Sequence, residues 1–530
     1  MTNKEVANKF KLLGDLMELH KENPFKFRSY HNAYRVIRAQ PSMVIEQDLE
    51  SLESIKGIGK AIADKIHQLR DTGTIVTLER QLEKTPEGIV QLLGVKGIGA
   101  KKIATLWNEL DIQSPGELLY ACQENRLVEV KGFGEKTQTK LKDQLEYYLA
   151  NADNTLYAIA NEMAQQVIAE ISTIDGVEHT QVVGDLIRQN PVVESIEIAA
   201  VIKDAASVNT HLESLDYVLT DGKYHHETYG TFTLHLLDAT SDIKELCYPK
   251  EDSAVYQVFT KSDIADVPYH MQELTTVEYL QEHPDAINKT IQQGDLKGCI
   301  HNHTTASDGS HTLEQMVDQA ATNGYEYLVI SDHSKSAFYA NGLSEERLLD
   351  QGRQIDQINS NRSDIKVYKS VESDILNDGR LDYEPNILNQ LDLVIASVHS
   401  NLTMDIDKAT NRLVTAIEHP STKILGHPSG RLLLARKGYP LDYEKIIDAC
   451  AANGVVIELN ANPHRLDMDW MYLHQCIKKN VMISINPDAH HRDTYTNMQY
   501  GVLAAQKAAF PTELVLNTKT LEEFEAWVNA

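Results

Sequence analysis

The chain has 530 residues, with 50 Lys+Arg against 77 Asp+Glu and a formal charge of −27, a length that accommodates about three or four domains with ample cores. Its five cysteines, Cys122, Cys247, Cys299, Cys450 and Cys476, are scattered and lack C-x-x-C spacing, which excludes a disulfide framework and a zinc knuckle. The charged opening Met1-Thr2-Asn3-Lys4-Glu5 and the lack of any apolar run of membrane length point to a cytoplasmic protein with no membrane partner.

In chain order, the first 150 residues are dominated by an internal repeat. Leu52 to Ile66, Leu92 to Leu106 and Leu127 to Leu141 each place a Gly-hydrophobic-Gly turn between an apolar segment and a helical pattern: Lys56-Gly57-Ile58-Gly59, Lys96-Gly97-Ile98-Gly99 and Lys131-Gly132-Phe133-Gly134. These are helix-hairpin-helix units. Paired glycines permit a tight turn with positive φ and let backbone N–H groups approach an anion at a helix start. The phosphate of a nucleic-acid backbone is the fitting anion, so Lys56, Gly57, Gly59, Lys60, Lys96, Gly97, Gly99, Lys131, Gly132 and Gly134 are the candidate DNA-binding residues. Residues 1–150 hold 22 basic and 21 acidic side chains, leaving 28 and 56 for the rest. A strongly acidic remainder excludes a broad basic groove, and DNA contact should be modest and local.

Between Lys297 and His490 the chain places nine potential metal ligands: His301, His303, Asp308, His333, Glu372, His399, His427, Asp488 and His490. A lone histidine is ordinarily a core or surface residue, but here the short motifs follow apolar runs such as Tyr327-Leu328-Val329-Ile330, which sets them at strand ends. In His301-Asn302-His303, alternate residues project to one side, so two imidazoles can meet one ion. Histidine and carboxylate without cysteine suit Zn, Mn or Fe in an open hydrolytic site, and the excess of ligands indicates two or three ions, the equipment of phosphoester hydrolysis. Lys335, Arg431, Arg436 and Arg465 lie beside these motifs. Of these, Arg431 and Lys335 are the candidates for gripping a phosphate and stabilising its added charge. His311, His464 and His491 fall outside the motif positions.

These segments, together with Ser307-Asp308-Gly309, Ser331-Asp332-His333-Ser334, Glu372-Ser373-Asp374-Ile375, Gly426-His427-Pro428-Ser429-Gly430-Arg431 and Asn486-Pro487-Asp488-Ala489-His490, resemble the successive motifs of the PHP (polymerase and histidinol phosphatase) domain over about residues 293–530. The resemblance implies a distorted (β/α)7 barrel with a trinuclear site at the C-terminal ends of its strands. His301, His303, Glu372 and Asp488 would hold one ion, Glu372 would bridge to a second held by His399 and His427, and Asp308, His333 and His490 would hold the third. Mn²⁺ is the implied ion, with Zn²⁺ or Fe²⁺ also compatible.

The order of hairpins, a middle segment and a PHP domain resembles the bacterial family X DNA polymerases, and Asn23-Pro24-Phe25-Lys26-Phe27-Arg28-Ser29-Tyr30 looks like the start of their N-terminal domain. The middle departs from that pattern. Where the family has a Gly-Ser turn and two aspartates one residue apart, this chain has Gly184-Asp185-Leu186-Ile187-Arg188 and Ser195-Ile196-Glu197, and the strand expected to carry a third aspartate reads Thr231-Phe232-Thr233-Leu234-His235. Two-metal nucleotidyl transfer needs close carboxylates, so this region is read as a degenerate palm kept as a scaffold.

The expected architecture is thus multidomain: 1–88, an N-terminal helical domain with the first hairpin; 89–150, the second and third hairpins; 151–290, a degenerate α/β palm/thumb-like region; and 291–530, the PHP domain. The expected function is a metal-dependent 3′–5′ exonuclease and DNA end-processing phosphoesterase. The alternatives are a small-molecule phosphatase of the histidinol-phosphatase type, a polymerase with residual activity and a noncatalytic DNA scaffold.

Overall fold

The computed structural model describes all residues but 96, 129, 151–153 and 227–229; Lys96 of the second hairpin and the first residues of the expected 151–290 region therefore lie outside the described residues. The chain divides into two compact units, one of Met1–Cys122 with Leu127–Tyr148, the other of Gln123–Arg126 with Leu149–Ala530.

The first unit is helical. Thr2 opens the helix Asn3–Leu19 with a capping box, its hydroxyl accepting from the Glu5 N–H while the Glu5 carboxylate accepts from the Thr2 N–H, which satisfies two otherwise orphaned donors. That helix buries Val6, Phe10, Leu13 and Met17, spaced three and four apart, against Pro24–Arg38. At Gly14 a Cβ would lie 2.4 Å from the His31 ring, so glycine sets the approach of the two helices. The hairpins follow: Leu49–Ser54 with Lys60–Thr72, Glu87–Leu92 with Ala100–Leu110, and the turn before Glu135–Ala150. In the third, Asn125 adopts a left-handed backbone (φ 56°) just beyond the helix Pro115–Gln123, so the residues leading to Leu127 form turns rather than a helix.

The second unit begins with a five-stranded mixed sheet in the order 177–182, 197–202, 230–237, 223–226, 218–220, with Glu197–Ile202 parallel to Gly230–Leu237 and the other neighbours antiparallel. Tyr157–Ile171 and Ala205–Ser214 cover it through Ala160, Ala164, Val167, Val208 and Leu212.

From Gly298 onward the strands are all parallel. One sheet orders Lys366–Lys369, Tyr327–Ile330 and Gly298–Cys299; another runs from Glu372–Asp374 through Val394–Ser397, Thr422–Leu425 and Val456–Asn460 to Ile483–Asn486. Single bridges link residues beyond the strands of the two sheets, His333 with Glu372 and Asn302 with Ala489. Alternate residues serve different cores. Leu328 and Ile330 face the cluster shared with the helices, while Tyr327, Val329, Ile395, Ile424 and Val456 form a second cluster closed by Phe524 of the helix Leu521–Val528. Tyr327 stacks on Phe524 with ring centroids 4.1 Å apart. Gly298 makes room for it: a Cβ there would sit 1.9 Å from the Tyr327 ring. No helix among the described residues is long and apolar enough to cross a membrane.

Candidate metal centre

The ligand motifs follow the C-terminal ends of these parallel strands, Glu372 lying three residues beyond Lys366–Lys369 and opening the short strand Glu372–Asp374. Beyond Gly298–Cys299, Asn302 turns away from the cluster and is fastened by its side-chain amide to the Val329 carbonyl at 3.0 Å and by its backbone N–H to Ser331 Oγ at 3.0 Å, so His301 and His303 on either side face the other way. Asp308 comes from a loop wrapped around the buried Asp332, which accepts from the Thr304 N–H (2.8 Å), the Thr304 hydroxyl (2.8 Å) and the Ser307 N–H (3.1 Å). His301 (φ 63°) and Asp488 (φ 51°) both hold left-handed backbones, a cost of roughly 1–3 kcal/mol each that packing must impose and that concentrates at functional sites.

Glu372 is the hub. Its Oε1 lies 2.9 Å from His427 Nε2, 3.0 Å from His399 Nε2 and 3.2 Å from His301 Nε2, and its Oε2 lies 2.9 Å from His333 Nδ1. Asp488 Oδ1 lies 3.1 Å from His303 Nε2 and 3.5 Å from His301 Nε2, while Asp308 is 3.5 Å from His333 and 3.3 Å from His490. Metal–ligand bonds of ~2.1 Å at angles of roughly 90–109° set neighbouring donors ~3.0–3.4 Å apart, the spacing seen here. Hydrogen-bond accounting points the same way. His301 Nε2, His333 Nδ1, Asp308 Oδ2, Glu372 Oε2 and His490 Nε2 are buried without a hydrogen-bond partner, although several have opposite-type atoms within 3.5 Å. Buried polar atoms ordinarily find partners, so this donor set fits metal ions. Ligand atoms of His303, Asp308, His333 and His490 converge within 4.8 Å of one another, as do those of His301, His303 and Asp488 and of His333, Glu372 and His399.

The charge state suits ligation. Burial raises the carboxyls of Asp308, Glu372 and Asp488, but facing imidazoles outweigh it and hold all three well below the usual carboxylate range. Burial lowers His301, yet Glu458, Asp488 and Glu372 hold it well above the usual imidazole range. His303 moves the other way, to about 4, through burial and the neighbouring His490 and His333. Ionised carboxylates packed against imidazoles in a dry site are a charge balance that divalent cations can take over by displacing protons.

Sequence reading missed the residues that orient these ligands. Glu458 is fully buried and receives His301 Nδ1 at 2.6 Å, the His427 N–H at 2.7 Å and the Asn486 amide at 2.8 Å. Asp374 receives His399 Nδ1. The one available signal was Glu458 itself, a lone carboxylate within the apolar strand Val456–Asn460. Glu124, which belongs to the second compact unit, also lies buried with its carboxylate near Asp488 and His490, and no motif marks it.

The flanking cations are partly engaged. Arg431 donates to Asp469 and to the Arg465 and Leu466 carbonyls. Lys335 is exposed, 3.2 Å from Glu345 and above the Tyr383 ring. Arg436 donates to the Gly430 carbonyl, and Arg465, buried, approaches Asp488 at 3.8 Å.

In the first unit, Lys56, Gly57, Gly59 and Lys60 are exposed, as are Gly97, Gly99, Lys131 and Gly132, with Gly134 half-buried. Gly57, Gly97, Gly132 and Gly134 have φ of 101°, 86°, 93° and 68°, and Ile58, Ile98 and Phe133 between them are buried. Gly59 and Gly99 cap their helices with no side chain over the first N–H groups, and a Cβ at either would meet nothing within 4 Å. In the five-stranded sheet, Glu197 lies 2.9 Å from His235 on the parallel neighbouring strand. Asp185 is buried and occupied by Arg188 (2.6 Å), Asn190 (2.9 Å) and the Glu194 N–H (3.1 Å).

The model of a helix-hairpin-helix domain matches residues 1–75, that of a SAM-like helix-hairpin-helix tandem residues 89–146, and that of a PHP domain residues 300–462. The DNA polymerase/3'-5' exonuclease PolX of Bacillus subtilis is 29% identical over 571 aligned positions, covering 100% of this chain and 99% of that protein. A probable phosphatase of Acetivibrio thermocellus is 26% identical over 240 positions, 43% of this chain and 93% of its own. Among solved structures, histidinol phosphate phosphatase from Lactococcus lactis, complexed with Zn, L-histidinol and phosphate, is 17% identical with a TM-score of 0.32, covering 40% of this chain and 94% of that one. With hairpin domains at one end, a PHP domain at the other and similarity along its full length, the chain is similar to the PolX-type family X polymerases that carry a C-terminal PHP domain.

Proposed function

We propose that the chain is a metal-dependent 3′–5′ exonuclease and DNA end-processing phosphoesterase of DNA repair whose polymerase activity is lost. We divide it as 1–88 and 89–150, the DNA-binding hairpins; 151–290, a degenerate palm; and 291–530, a distorted (β/α)7 barrel. The observation that carries this reading is the set of buried, unpartnered ligand atoms clustered around Glu372, in a chain similar over its whole length to a protein named as a DNA polymerase/3'-5' exonuclease.

His301, His303, Glu372 and Asp488 would hold one ion, Glu372, His399 and His427 a second, and Asp308, His333 and His490 the third. When bound, Mn²⁺, or the Zn²⁺ or Fe²⁺ that the donor set also accepts, would polarise a phosphoryl oxygen and offset the developing charge. Glu458 and Asp374 keep the imidazoles in register. Lys335 supplies positive charge for the phosphate. Its exposed pairing with Glu345 is worth little, so the ammonium is free to exchange partners; Arg431, already filled by Asp469 and two carbonyls, is the weaker candidate.

Loss of polymerase activity is supported by Glu197 being paired with His235 and Asp185 being consumed by its own loop; among the described residues, the convergent ligand groups all lie outside the mixed sheet. A small-molecule phosphatase is the second reading, favoured by relatives named as probable phosphatases that match only about two-fifths of the chain.

The deciding assay incubates end-labelled single-stranded and gapped DNA with Mn²⁺, with and without dNTPs, comparing wild type with Asp488→Ala. The expected result is stepwise shortening from the 3′ end, abolished in the variant, with no extension. Extension dependent on dNTPs would restore the polymerase. Intact DNA alongside turnover of a small phosphomonoester would move the function to the phosphatase.

A further inference from the structure

The loop from Lys335 to Asn341 connects the ligand His333 to the rest of its β/α unit, and it presents Phe338 to solvent at 88% exposure. A single exposed apolar side chain is common on any protein. What sets this one apart is the rigidity of its mount and its address.

Ser336 donates its N–H and its hydroxyl to Asp382, both at 2.6 Å. The Ala337 N–H returns to the Ser334 carbonyl at 3.0 Å, the Gly342 N–H to Ala337 at 3.0 Å and the Leu343 N–H to His333 at 2.8 Å. Asn341 reaches the Ser307 carbonyl at 3.2 Å, tying the loop to the segment that carries Asp308. Gly342 is required for this closure, since a Cβ would lie 1.9 Å from the Ser334 oxygen. The two ends of the loop are thus pinned to ligand-bearing segments, and Phe338 has little freedom to fold back and bury its ring.

Its neighbours are chemically apt. Tyr339 turns inward, its ring 6.3 Å from that of His333 and covered by the Arg126 guanidinium at 4.3 Å. Phe338 is therefore the bare aromatic of the pair, one residue from a side chain that touches the ligand shell. Lys335, also exposed, stands three residues away on the same loop. An exposed aromatic ring and an exposed ammonium on one short loop are the two groups with which proteins hold single-stranded nucleic acid, the base stacking and the phosphate meeting the cation. A small phosphorylated metabolite has no use for a ring set outside the site.

We propose that Phe338 is the stacking platform for a nucleobase near a single-stranded 3′ terminus, with Lys335 meeting the adjacent phosphate. The proposal rests on the nuclease reading and names the residues that would hold the unpaired end. A duplex end would have to fray before a base could reach the ring.

The test uses full-length wild type, Phe338→Ala and Phe338→Trp with Mn²⁺ and two 5′-labelled oligonucleotides, one with ordinary bases and one whose last three nucleotides are abasic. On the ordinary strand, Phe338→Ala should raise KM by roughly 10-fold, the loss of one base–aromatic stack, with kcat little changed, and Phe338→Trp should restore it. On the abasic strand that penalty should vanish, because there is no base to stack. Equal KM for wild type and Phe338→Ala on the ordinary strand, or an equal loss on both strands, overturns the platform while leaving the nuclease reading intact. Failure of wild type to shorten either strand overturns the nuclease reading and the platform with it.

Discussion

Glu458 sits at 0% exposure and accepts from three directions: the His301 imidazole, the His427 backbone and the Asn486 amide. Every partner is a donor, so Glu458→Gln would place an amide N–H against at least one of them and leave it unmatched. His301 would lose the charge that fixes its tautomer and plane. We expect Glu458→Gln to fold, by circular dichroism, yet to weaken metal binding by roughly 10–100-fold, the usual cost of removing a group behind a ligand. Metal content after dialysis against graded chelator reads this out, and retention equal to wild type would show that Glu458 is structural only. The candidate ligands stood out in the sequence because short polar motifs interrupt apolar runs, as at Ser331-Asp332-His333 and Ser397-Val398-His399. Glu124 did not, being a single carboxylate in an ordinary local pattern, and Glu458 showed only as a carboxylate in an apolar strand; each acquires its role through partners distant in sequence.

The parallel strands hold those residues up by what lies beneath them. Tyr327 begins its strand and its ligand His333 follows the strand's end, so Phe524, stacked on Tyr327 at 4.1 Å and edge-on to Tyr368 at 5.0 Å, supports the floor and not the ligand shell. Phe524 is fully buried, and Phe524→Ala should cost about 3–5 kcal/mol through lost transfer energy and the cavity left behind. Urea unfolding followed by near-UV circular dichroism checks this, and a loss below about 1 kcal/mol would mean that the helix Leu521–Val528 repacks freely. The strands were visible in sequence as apolar runs. The single bridges His333 with Glu372 and Asn302 with Ala489 were not, since they are made by residues in motifs whose side chains advertise metal binding and not strand pairing. The third hairpin was legible only in part: its glycine turn forms, but Asn125 takes a left-handed backbone that sequence alone did not reveal.

Charge is distributed so unevenly that it constrains how the entire chain meets DNA. Residues 1–150 are nearly neutral, with 22 basic and 21 acidic side chains, whereas the rest carries 28 against 56. Long-range attraction to a polyanion is therefore weak, and the contacts we propose are short-range ones at the hairpins, where glycine turns, Lys56 and Lys131 stand open to solvent. Such contacts release few counterions. Each lysine–phosphate contact contributes about 0.9 to the slope of log affinity against log salt on duplex DNA. The double variant Lys56→Ala/Lys131→Ala should weaken binding by a similar factor across unrelated sequences and flatten that slope by roughly 2, because backbone contacts position the protein without reading bases. Fluorescence anisotropy with a gapped duplex between about 50 and 200 mM salt measures it directly. A slope unchanged by the substitutions would locate DNA contact elsewhere and leave the hairpins as connectors, whereas loss confined to one sequence would mean that these turns read bases after all.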